Sequence, residues 1–185
     1  MLILFFLFIL TFNFDAIAQM ASAPNTGSSP YILEPYLGYE KGYLTQKRVP
    51  EMEVQGTNLG LRLGMKFWGI DVAFDYMTSS MKATQVDQTS DFKSTDYGFY
   101  FGYKFQQLKI YYTYFFSTKA QIQEDENPED FTGSGSKMGL GWRLNSFCEI
   151  SFELINREYS DYAGDSLNNP LQSSTGSLSI AVPIL

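Results

Sequence analysis

From Leu59 to Phe67 the chain alternates without a break. Leu59, Leu61, Leu63, Met65 and Phe67 are apolar, and Gly60, Arg62, Gly64 and Lys66 between them are small or charged. Successive side chains of a strand point to opposite faces, so this segment predicts a strand with one apolar wall and one polar wall. The same sorting recurs in eight segments, and none of the apolar walls carries a charge. A soluble protein hides such walls beneath a second layer. This sequence offers no helical layer to cover them.

The other segments follow suit. Tyr31 to Glu40 sets Tyr31, Leu33, Pro35, Leu37 and Tyr39 against Glu34, Tyr36, Gly38 and Glu40. Ile70 to Tyr76 sets Ile70, Val72, Phe74 and Tyr76 against Asp71, Ala73 and Asp75. Tyr97 to Phe105 and Leu108 to Phe116 are aromatic on one wall and carry Gly98, Gly102, Lys104 and Lys109 on the other. Met138 to Asn145, Cys148 to Leu154 and Ser177 to Ile184 complete the set, with Gly139, Gly141, Arg143, Glu149 and Glu153 on their polar walls. Connections alternate in length: tight at Phe67-Trp68-Gly69, Gln106-Gln107 and Asn145-Ser146, long and polar over 41–58, 77–96, 117–137 and 156–176. Short turns at one end and four long loops at the other predict an all-β, eight-stranded antiparallel up-and-down barrel. The nine residues from Leu59 and the nine from Tyr97 also resemble each other, with a looser copy at Met138 to Arg143, as if the hairpin were a repeat unit.

Two orientations of the walls compete. A soluble carrier of the lipocalin type points its apolar wall inward; a transmembrane barrel points it at lipid. Eight strands enclose a space only wide enough for side chains or one small ligand. Gly60, Gly64, Gly98, Gly102, Gly139 and Gly141 all lie on the charged wall. Glycine weakens a strand, so its clustering there fits a narrow lumen. Turning Arg62, Lys66, Lys104 and Arg143 to lipid would cost about 2–4 kcal/mol each at the midplane. The charges therefore go in. The expected lumen network is Glu34, Glu40, Arg62, Lys66, Asp71, Asp75, Lys104, Lys109, Arg143, Glu149 and Glu153. A static polar filling is favoured over a gated ion path, since buried charges must be paired.

Tyr31, Phe67, Trp68, Phe105 and Phe147 fall near the short-turn end, and Tyr39, Tyr76, Tyr97 and Phe116 near the loop end. Two such belts match the aromatic girdles of membrane barrels. At 185 residues the chain is one domain in size, with residues 31–185 as the barrel. Residues 1–18 read as a signal peptide: an apolar run from Leu2 to Phe12, then Ala16-Ile17-Ala18. Residues 19–30 form a polar lead-in. The formal charge of −7 argues against nucleic acid as a partner. Cys148 is the single cysteine, which excludes an internal disulfide.

The chain resembles the OmpA/OmpX-type family of small eight-stranded outer-membrane barrels. The resemblance rests on the opening Tyr31-Ile32-Leu33-Glu34-Pro35-Tyr36-Leu37-Gly38-Tyr39-Glu40, on the aromatic–glycine alternation, and on a last strand running to Leu185. It implies residence in the bacterial outer membrane among its lipids and lipopolysaccharide. It also implies insertion by the outer-membrane assembly machinery, whose last-strand signal usually ends in an aromatic residue rather than Leu185. Small barrel enzymes of that membrane resemble one another in relying on a histidine base, and this chain has no His. A non-enzymatic role without cofactors is expected, structural or in surface interaction with an unknown ligand through the long loops. A narrow, low-conductance pore is the alternative, and a soluble lipocalin-like carrier the second.

Glu124, Asp125, Glu126, Glu129 and Asp130 form an acidic stretch that lacks regular metal-ligand spacing, so a solvated loop is favoured over a metal site. Pro35 and Pro183 lie on the first and last strands and predict a weakened seam where the barrel closes.

Overall fold

The computed structural model describes residues 30–67, 69–85, 88–124 and 127–184. The segment read as a signal and all but the last residue of the lead-in lie outside these described residues. Eight strands follow one another: Tyr31–Gln46 (β1), Val49–Phe67 (β2), Ile70–Gln85 (β3), Gln88–Phe105 (β4), Leu108–Glu124 (β5), Asn127–Asn145 (β6), Cys148–Tyr162 (β7) and Asp165–Ala181 (β8). Each pairs antiparallel with the next, and β8 returns to β1 to close the barrel. This is the up-and-down architecture that the alternation predicts.

The strands are longer than expected. They run 15 to 19 residues, where a transmembrane strand needs about 9–11. The long polar stretches are therefore not loops, and this corrects the sequence reading. Residues 38–46 and 49–58 pair across a turn at 47–48, and Met77–Gln85 pairs with Gln88–Asp96. Thr118–Glu124 pairs with Asn127–Gly133, and β7 meets β8 across a turn at Ala163–Gly164.

The reason for the error is physical. In the half nearer the short turns, Leu59, Leu63, Phe74, Phe99, Phe101, Tyr112, Leu140, Phe152 and Leu178 face outward and are exposed. In the other half the sense reverses. Thr78, Ser80, Lys82 and Thr84 of β3 face outward while Met77, Met81 and Ala83 are buried. Lys119 and Gln121 face outward on β5 while Ala120 and Ile122 are buried. The outer half has the walls of a barrel in water, and the inner half those of a barrel in lipid. A bulge between Phe115 and Thr118 adds a residue to β5 between the two halves.

At the short-turn end, Gln106 adopts a left-handed φ of 54° and Gly69 one of 84°. The Phe147 amide donates to Asn145 Oδ1 at 2.8 Å and tightens the turn into β7. The β1–β8 seam runs from Tyr36 opposite Ala181 to Thr45 opposite Gln172. It continues through Val182 N to Pro35 O and Ile184 N to Leu33 O, both 2.9 Å. A strand residue directs its N–H and C=O to the same side, so Pro35 removes one seam donor. Pro183 faces the other way, so the seam lacks one donor rather than the expected two.

Candidate functional site

The interior groups its charges into clusters, because the stagger of the closed strands brings inward positions of different strands together. In the lower ionic layer, Arg62 of β2 is 1 % exposed. It donates through Nη1 to Glu34 Oε1 at 2.6 Å and through Nη2 to Glu153 Oε1 at 2.9 Å. Its Nε lies 3.6 Å from Asp75 Oδ2. Lys109 bridges Glu34 at 3.0 Å and Glu149 at 2.6 Å. Lys137 pairs with Asp75 at 2.8 Å and donates to Tyr36 Oη at 2.8 Å, while Tyr36 donates to Asp75 Oδ1 at 2.7 Å. Tyr111 donates to Glu153.

Three tyrosine rings enclose the Arg62 guanidinium: Tyr36 at 4.4 Å, Tyr111 at 4.5 Å and Tyr100 at 4.9 Å. The glycines explain how the rings fit. Tyr36 sits directly across from Gly60 and Tyr111 across from Gly139. A Cβ built on either glycine would collide with the facing ring. Each ring lies flat on bare backbone and turns its face to the cation, where the π-electrons attract it.

Above this lie Met77, Phe115 and Ile155, which cluster with Tyr36 and with Ala181, the cross-strand partner of Glu149. An upper polar layer follows. Arg157 of β7 donates to Glu40 Oε1 at 2.6 Å and to Asp96 Oδ2 at 3.0 Å. Thr175, Ser79 and Asn58 also donate to Glu40, at 2.6, 3.0 and 3.2 Å. An apolar cap closes the outer end, with Leu44, Val54, Met81, Phe92, Ile122, Phe131, Tyr159 and Leu171 packed together.

The structure thus brings Glu34, Arg62, Asp75, Lys109, Glu149 and Glu153 into one cluster and places Glu40 in another. Lys66, Asp71, Lys104 and Arg143 face inward at the short-turn mouth, half-buried or nearly so, and Arg143 Nε lies 4.0 Å from Glu149. Asp96, Lys137 and Arg157 are absent from the expected network, yet all three are buried in it. Their signal was parity. Asp96 shares the phase of Gly98, Lys137 that of Gly139, and Arg157 that of Glu153, in stretches read as loop.

The aromatic residues assigned to the girdles face outward: Tyr31, Tyr39, Phe67, Tyr76, Phe105, Phe116 and Phe147 are exposed and Tyr97 is partly so. Trp68 lies outside the described residues. Of the acidic stretch, exposed Glu129 accepts from Tyr162 at 3.4 Å and Asp130 from Gln121 at 2.8 Å. Asp125 and Glu126 lie outside the described residues, and β5 ends at Glu124. Among the described residues no group of three His, Cys, Asp or Glu is placed to hold a metal ion. On the outer wall above the apolar belt, Lys41 and Glu53 pair at 2.6 Å. That hydrogen bond and the carboxylate's charge raise the lysine's pKa above its ordinary value.

Chemically, this interior holds ions in place. A closed sheet with apolar side chains outside and paired charges within defines a class, the transmembrane β-barrels, here with eight strands. Solved structures agree on the fold. Neisserial surface protein A superposes with a TM-score of 0.57 at 15% identity, covering 84% of this chain and 98% of that one. Ail, the attachment invasion locus protein of Yersinia pestis, solved with the heparin analogue sucrose octasulfate, gives 0.59 at 12% identity over 84% of this chain and 100% of its own. No protein-family model and no curated protein matches the sequence.

Proposed function

We propose that this chain is a monomeric bacterial outer-membrane protein, exported through the segment 1–18, with a plugged barrel and a non-enzymatic role at the cell surface. The observation that carries this reading is the layered interior. Two ionic layers are separated by Met77, Phe115 and Ile155 and closed by the cap around Phe92 and Tyr159, all fully or almost fully buried. A pore needs a continuous open path, and these buried side chains stand across it. A soluble carrier needs its apolar wall inside at the height of Leu59 to Phe67, where it faces out.

The working surface is then the outer half, a stalk of paired strands. Its β6–β8 side carries Glu129, Asp130, Glu158, Asp161 and Asp165 near the tip. That charge suits a cation-bearing partner, in contrast to the polyanionic heparin analogue in the Ail structure. Lipid contacts fall to the apolar belt and its aromatic rims, and insertion to the assembly machinery of the outer membrane.

Planar-bilayer recording of the detergent-extracted protein tests the plug. No reproducible conductance steps are expected, whereas steady unitary steps would favour the narrow-pore reading. Electrophoresis with and without boiling tests the barrel, which should change mobility on heating.

A further inference from the structure

The charges inside the barrel cancel only over its whole length. The mouth near the short turns carries Lys66, Lys104 and Arg143 against Asp71. The upper layer has the opposite bias: Arg157 is its only basic side chain among the described residues, against Glu40 and Asp96. Lys137, the nearest cation below, is engaged by Asp75 at 2.8 Å. The upper layer therefore holds one more acidic than basic side chain, and all three are buried.

The bonding within that layer is uneven in the same sense. Glu40 receives hydrogen bonds from Arg157, Thr175, Ser79 and Asn58. Asp96 receives one, on Oδ2. Its Oδ1 is buried without a hydrogen-bond partner, as is Thr118 Oγ1, while Ser94 Oγ and Tyr159 Oη lie near each other and make no well-formed bond to any other group. These four residues are at most 1 % exposed. They are also neighbours. Ser94 and Asp96 share the inward face of β4, and Thr118 is the cross-strand partner of Asp96. Thr118 lies opposite Gly133, which lies opposite Tyr159. The Tyr159 ring reaches back across the lumen to within 6.4 Å of the ring of Phe92, two residues before Ser94.

We propose that this pocket binds a dehydrated monovalent alkali cation, held by Asp96 Oδ1 together with the hydroxyl oxygens of Ser94, Thr118 and Tyr159. Buried polar atoms need partners, and buried charge needs countercharge. Water would supply partners but no charge. A proton on Asp96 would supply charge and a single donor, enough for at most one of the three hydroxyls. A hard monovalent cation supplies both, and its preferred ligands are oxygens of this kind. The charge of the layer sets the valence at one.

The test uses the full chain refolded in detergent micelles, with N-methylglucamine chloride exchanged for sodium or potassium chloride at constant ionic strength. The melting temperature should rise by roughly 3–6 °C and saturate, because a ligand bound only by the folded state stabilises it. In Asp96→Asn the rise should vanish, and in Thr118→Val its midpoint should move to about tenfold higher salt. A wild-type melting temperature indifferent to the cation would overturn the proposal. So would a rise that survives in Asp96→Asn, or stability that answers to pH alone, which would assign a proton to Asp96 instead. If Asp96→Asn does not fold, Thr118→Val decides: a midpoint equal to wild type sinks the site.

Discussion

Arg62 is the side chain on which the lower ionic layer converges. It answers two carboxylates by hydrogen bonds, a third by charge, and three aromatic faces at once. Removing one member of a buried ion pair leaves the others buried without compensation, which costs about 3–5 kcal/mol. Arg62→Met should therefore lower stability by that amount in urea titration followed by tryptophan fluorescence. A loss below about 1 kcal/mol would mean the cluster is wet and weakly coupled. The glycines make a second prediction. Gly60→Ala should cost about 1–3 kcal/mol by displacing the Tyr36 ring. Most of that loss should disappear when the same change is made in a Tyr36→Leu background, since residues in contact are not additive. Equal losses in both backgrounds would show that backbone strain, not the ring, sets the cost. That glycine belonged on the lumen wall was legible from alternation. Which ring rests on which glycine needed the register.

At the scale of the strand, the decisive feature is that apolar and polar walls exchange sides along one element. On β4, Phe99 and Phe101 point out, while farther along the same strand Phe92 points in. The strand is continuous; its surroundings change from acyl chains to water. A sequence reading that requires one unchanging apolar face ends each strand where the sign flips. It then mistakes Met81-Lys82-Ala83-Thr84 and Lys119-Ala120-Gln121-Ile122 for loop. Hydrogen exchange should find the amides of Ser79–Ala83 and Thr118–Ile122 protected to a degree comparable with the belt, as paired strands are and free loops are not. Phe92→Ala should weaken the stalk by about 3–5 kcal/mol through the cavity it leaves. Exchange would rise there and stay low in the belt. The seam gives a contrast at the other end. With Pro35 removing one donor, the amides of Val182 and Ile184 should exchange faster than those of Leu61 and Leu63 on β2, and equal rates would count against a weakened closure.

For the whole molecule, the belt is what fixes its place in a membrane. The belt can be located without reference to any single contact, because two outward positions of one strand lie in different solvents. Phe101→Arg sets a charge in the belt and should cost about 2–4 kcal/mol near the midplane. Thr95→Arg, on the same face of β4 but above the belt, should fall within about 0.5 kcal/mol of wild type, as surface changes do. Folding measurements in lipid vesicles compare the two directly. Similar costs for both would place the bilayer elsewhere on the barrel.

Strand number, barrel closure and the inward turn of the charges were determined by the sequence alone. A period of two with no charge on one wall leaves few ways to satisfy the backbone in lipid. Other properties depended on the tertiary structure. The height at which the walls exchange sides, the division of the charges into two clusters, and the membership of Asp96, Lys137 and Arg157 all follow from register and stagger. Alternation says which way a side chain points, but only the stagger of eight closed strands says what it meets there.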